Sequence, residues 1–106
     1  MLRRIEKTHP DHFSQAEKHN LTNEIFILTE GEADLLVFEN GAIPGKEYIV
    51  QMKKSVAYNI PQGVWHHIVM SSDAHVVLIE KSDTSRENSS YHFFDEEKKK
   101  IYKNKN

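Results

Sequence analysis

Seven histidines and no cysteine decide which chemistry this chain can offer. Any metal site in it must use imidazole nitrogen and carboxylate oxygen, a donor set that suits Mn, Fe, Co, Ni or Zn and lacks soft thiolate. The histidines, His9, His12, His19, His66, His67, His75 and His92, are spread along the sequence, so only folding can assemble them. His66 and His67 stand side by side after a Pro61-Gln62-Gly63 turn. Neighbouring side chains of a strand point to opposite faces, so the two cannot share a task. His66 shares its face with Val64, Ile68 and Met70, all apolar, and reads as the inward residue; His67 goes with Trp65 and Val69, on an outer face or a subunit interface. Glu17 and His19, two apart, share one face of an extended strand. Glu24 lies five beyond His19, an odd step that one straight strand would send to the other side. The intervening Asn20-Leu21-Thr22-Asn23 carries turn residues, and a turn or bulge there returns Glu24 to His19 with Phe26 and Leu28 facing inward. A carboxylate at the mouth of such a row needs a partner, and a metal ion is one natural choice. For His66 the spacing leaves two readings open: a ligand, or a core histidine hydrogen-bonded to a backbone carbonyl.

These residues depend on strands for their placement. Short apolar runs separated by turn residues fill 24–82: "EIFILTEG" stopping at Gly31, "ADLLVFENG" ending in the hairpin signal Asn40-Gly41, a run near Tyr48–Met52 after Pro44-Gly45, "SVAYNIP", "VWHHIVM" and "AHVVLIEKS". Six strands at intervals of about 8–12 residues describe an antiparallel sandwich or barrel, and the first dozen residues could add another. The polar stretch from Lys81 reads as irregular up to the aromatic cluster Tyr91–Phe94, which could close one end. "DEEKKKIY" reads as a short helix capped by Asp95, with Lys98–Lys100 a solvated face and 103–106 frayed. One domain of 106 residues is expected, with its core at about 15–82 and an extension over 83–106. A net charge of −2 offers no electrostatic match to nucleic acid, and no apolar run approaches a membrane span. The N-terminus lacks the apolar stretch of a secretory signal; with no cysteine present, a cytoplasmic location is the expectation.

Two stretches resemble the paired motifs of the cupin superfamily. In "EKHNLTNEIFILTEG" His19 is followed by four residues and Glu24, then by six and Gly31, as in the first cupin motif, with Glu17 where the family usually has its first histidine. In "SVAYNIPQGVWHHIVM" Pro61, Gly63 and His66 match the second motif, while Ser55 replaces its leading glycine and Met70 its final asparagine. The resemblance spans roughly 15–82. It implies an all-β fold, an antiparallel double-stranded β-helix or jelly-roll barrel, holding a divalent transition metal (Fe, Mn, Ni, Co or Zn). By position the ligands would be His19, Glu24 and His66, with Glu17 as a fourth. His12 or His9 could instead fold back to supply the missing histidine; His67, His75 and His92 are expected at the surface or an interface.

Cupins serve many functions, and fold alone does not choose among them. One expectation is a metal-dependent enzyme acting on a sugar-like or keto/enediol molecule, an isomerase, epimerase or dioxygenase candidate with Glu17 or Glu24 as general base. A second is a non-catalytic module that binds or senses a metal or small ligand. A third is a metal-independent sugar epimerase or isomerase, disfavoured because Tyr58 is the only tyrosine near the proposed site and Arg3, Arg4 and Arg86 all lie outside the barrel strands. A homodimer is expected, its interface drawn from Ile25, Ile27, Trp65 and Val69 on outer faces.

Overall fold

The structure is a computed structural model that describes residues 2–3, 8, 15–20, 22–80 and 89–93. The described residues form nine strands: β1 (Leu2–Arg3), β2 (Gln15–His19), β3 (Glu24–Glu30), β4 (Ala33–Phe38), β5 (Glu47–Gln51), β6 (Ala57–Ile60), β7 (His66–Met70), β8 (His75–Ile79) and β9 (Ser89–Phe93). All six strands expected over 24–82 are present, together with a short one at the N-terminus. The proposed helix around Asp95, and His9, His12 and Phe94, lie outside the described residues.

The strands make two antiparallel sheets, one ordered β1-β8-β3-β6 and the other β5-β4-β7-β2-β9. Among the described residues no ladder joins their edges, so the expected closed barrel is not formed. The chain switches sheets repeatedly, and two of the switches have a clear local cause. Between β3 and β4 the turn runs through Gly31, at φ +75, a conformation that L side chains rarely adopt. A Cβ there would also stand 2.6 Å from the Ala74 backbone, so only glycine fits. Between β6 and β7 Gly63 takes φ +78, and its N–H donates to His19 O at 2.7 Å, tying this turn to the end of β2. The β4–β5 hairpin closes over 39–46, with Glu39 N–H donating to Lys46 O at 2.9 Å. Both turn signals of that region, Asn40-Gly41 and Pro44-Gly45, thus fall in one connection.

Strand alternation builds the core. Phe26 and Leu28 of β3, Val76 of β8 and Ile60 of β6 meet Ala33 and Leu35 of β4 and Ile68 and Met70 of β7 between the sheets. Burying each large side chain there contributes roughly 1.5–3 kcal/mol. A second, smaller cluster occupies the other face of the five-stranded sheet: Ala16, Leu36, Phe38, Trp65 and Val69, with Ile49 beside them. This corrects the expected surface role of that face. Trp65 is 2%, His67 4% and Val69 4% exposed, so all are buried within the chain and cannot form a subunit interface. Every residue of β7 is buried, as in a strand covered on both sides. Ile25 and Ile27 are half-buried, and Phe93, in the aromatic cluster expected to close one end, is exposed. No helix among the described residues is long and apolar enough to cross a membrane.

Candidate metal centre

Three strands from both sheets deliver the site. β2 and β7 are neighbours, with Glu17 directly opposite His66. His19 follows Glu17 by two and therefore points the same way. Glu24 opens β3 in the other sheet, so the odd spacing from His19 is resolved by a change of sheet between β2 and β3, and Glu24 meets the two histidines from the opposite layer. Asn23 Oδ1 accepts the Gln62 N–H at 2.8 Å, which clamps this crossing to the turn before β7.

The result is a compact group. One ligand atom from each of Glu17, His19, Glu24 and His66 lies within 4.8 Å of all the others. Glu24 Oε1 is 2.6 Å from His19 Nε2 and 2.8 Å from His66 Nε2, and Glu17 Oε1 is 3.7 Å from His19 Nε2. His19, Glu24 and His66 are buried, while Glu17 is half-buried toward the rim. Phe26 packs against His66 at 6.0 Å between ring centres, giving the site an apolar wall.

Outer contacts hold both rings with Nε2 toward the centre. His66 Nδ1 bonds to Val64 O at 2.9 Å, and His19 Nδ1 to Ser89 Oγ at 2.7 Å. A carbonyl only accepts, so His66 Nδ1 carries the hydrogen and Nε2 of the neutral ring presents a lone pair. That lone pair faces a carboxylate oxygen, and His66 Nε2 and Glu24 Oε1, both fully buried, have no partner beyond the contacts among His19, Glu24 and His66 themselves. Two acceptors this close require a positive charge between them, a proton or a metal cation. Fixing a ligating imidazole through its other nitrogen is also how metal sites orient histidine.

The electrostatics agree. Burial alone would lower the pKa of His19, but Glu17 and Glu24 outweigh it and raise the group from 6.5 to about 10. Burial would raise Glu24, but His19 and His66 lower it from 4.5 to about 2. The two carboxylates thus favour a positive charge at His19, and a carboxylate pair beside two imidazoles can hold a divalent metal once the proton leaves.

All four candidate ligands of the sequence reading come together here. Two participants escaped it. Ser89 lies on β9, whose Ser-Ser-Tyr-His-Phe sequence carries little strand signal. Glu80 follows Val76 and Leu78 on the inward face of β8, and one step beyond the Ile25–Ile79 pair it stands opposite Glu24; its pKa is raised by burial and by the neighbouring Glu24 carboxylate. That alternation was present in the sequence. His75 and His92 are remote from the centre in role: His75 lies 3.6 Å from Glu30, and His92 packs edge-on to Trp65.

No protein-family model matches the chain, and no curated protein matches it significantly.

Proposed function

We propose that this is a small cupin-like protein that holds one divalent transition metal through His19, Glu24 and His66, with Glu17 as fourth donor, and uses it to bind or act on a small polar molecule of sugar-like, keto or enediol type. The observation that carries the reading is the buried meeting of His66 Nε2, His19 Nε2 and Glu24 Oε1, 2.8 and 2.6 Å from the carboxylate oxygen, with no partner outside the group. Three backbone features at the motif positions support the cupin-like part: Gly31 and Gly63 take positive φ, and Ser55, in place of the motif's leading glycine, takes φ 64, where glycine is the favoured residue.

A bound metal would supply Lewis acidity toward a carbonyl or enediol oxygen. The chain's own residues do the rest. His19 and His66 stay fixed by Ser89 and Val64, Phe26 keeps water from one side, and Glu17, nearest the rim, is placed to take a ligand proton at its carboxylate. Metal-free acid–base chemistry is the weaker reading. A base or acid working near neutrality needs a pKa near neutrality, and His19 at about 10 and Glu24 at about 2 are both far from it. The same proposal makes the protein a cytoplasmic homodimer, paired through its open sheet edges, for which gel filtration is the check.

Elemental analysis of the purified protein tests the reading. One transition-metal ion per chain, lost in His66→Ala and kept in His67→Ala, is the expected result. No bound ion and no affinity for any overturns it.

A further inference from the structure

Glu80 brings a third carboxylate beside the site. It directly follows β8, one step beyond the Ile25–Ile79 pair and so across from Glu24; it is exposed where Glu24 is buried, and it does not belong to the tight donor group itself. It therefore sets an exposed carboxylate beside the buried Glu24. Lys18 Nζ lies over Trp65 on the far face of its sheet and Lys46 Nζ lies over Tyr48, so neither offsets this charge. Glu17, Glu24 and Glu80 around a divalent ion leave the centre at about one net negative charge with both imidazoles neutral.

From the position of the exposed Glu80 across from the buried Glu24, we infer that it is a specificity residue: it excludes anionic ligands and accepts a hydrogen bond from the hydroxyl of an uncharged one. This rests on the metal-binding reading and narrows it, since a carboxylate- or phosphate-bearing molecule bound beside Glu80 would meet a like charge, whereas a neutral hydroxy-ketone would gain an acceptor. The second, independent sign of a ligand site is the buried meeting of His66 Nε2, His19 Nε2 and Glu24 Oε1, with no partner outside the group.

A matched pair of probes separates charge from shape. Hydroxyacetone and glycolate share a two-oxygen chelating skeleton and differ in that one ends in a ketone and the other in a carboxylate. Affinities of both are measured on the Mn²⁺-loaded protein at pH 8, by the change in water-proton relaxation, for wild type and for Glu80→Gln. Removing one charge near the bound anion should tighten glycolate on the order of tenfold or more, as a Coulomb interaction at a partly exposed site implies. Hydroxyacetone should bind Glu80→Gln no more tightly than wild type, so the ratio of the two affinities shifts by about tenfold. A ratio unchanged within twofold in a protein that does load Mn²⁺ overturns this inference alone. Failure to load Mn²⁺ or any other divalent ion overturns it together with the metal reading.

Discussion

Metal loading must drive a proton from His19. In the metal-free protein Glu17 and Glu24 hold this ring charged up to about pH 10, against the effect of its own burial, whereas a ligating imidazole is neutral. At pH 7 the group sits about three units below that value, so only about one molecule in a thousand has the nitrogen ready. Uptake of one ion should therefore release close to one proton, and apparent affinity should rise about tenfold per pH unit, roughly a hundredfold from pH 6.5 to 8.5. Glu24, lowered to about 2, is already ionised over this range and adds nothing to the slope. Titration calorimetry in buffers of different ionisation enthalpy counts the protons directly. Stability gives a second readout with opposite signs in the two states. The raised His19 pKa stabilises the metal-free fold fully below 6.5, and that contribution fades as pH climbs toward 10; the lowered Glu24 pKa stabilises it above 4.5 and fades as pH falls toward 2. Both describe one ion pair, so the Tm of the metal-free protein should be highest between those unfolded values, while that of the loaded protein should go on rising above pH 6.5. Affinity that is flat between pH 6.5 and 8.5, with no proton released, would refute the reasoning.

Other perturbations separate positioning from ligation and from packing. Ser89→Ala removes the partner of His19 Nδ1 and should weaken metal binding about tenfold with little change in Tm, read by competition with a chelator. Glu17→His should hold or raise affinity for Zn²⁺ or Ni²⁺; affinity that stays unchanged and weak would place position 17 outside the metal's coordination. His67→Ala, on the buried outer face, should cost about 1–3 kcal/mol in denaturant unfolding followed by Trp65 fluorescence, and leave metal affinity intact. Gly31→Ala must place a methyl 2.6 Å from the Ala74 backbone at φ +75 and should destabilise by roughly 3 kcal/mol or more, whereas Ser55→Gly should be neutral or stabilising by up to about 1 kcal/mol.

What could be read from the sequence followed from local rules. The runs beginning at Glu24, Ala33, Ala57, His66 and His75 alternate or cluster in the manner of strands, and glycines or prolines mark their ends, so these elements were legible. The inward facing of His66 and the pairing of Glu17 with His19 followed from period-two alternation. The position of Glu24 needed only that residues 20–23 break the strand, although the break proved to be a change of sheet. What failed was long-range. β9 pairs with β2 across most of the chain, Gln15 opposite Phe93, and nothing local in Ser-Ser-Tyr-His-Phe announces that partner. His67 was assigned to the surface by assuming that a strand has one wet face. Trp65 through Met70 is instead buried throughout, and a run so rich in apolar residues fits a strand covered on both faces. Glu80 lies one residue past the end of β8, so it falls outside the strand run even though the alternation of Val76 and Leu78 gives its direction.

The most direct test is a crystal structure of the protein soaked with Mn²⁺ or Zn²⁺, with anomalous differences collected at the metal edge. The account predicts one strong peak within bonding distance of His19 Nε2, His66 Nε2 and a Glu24 carboxylate oxygen. A peak elsewhere, or none at this point in a crystal that has taken up the ion, would contradict it.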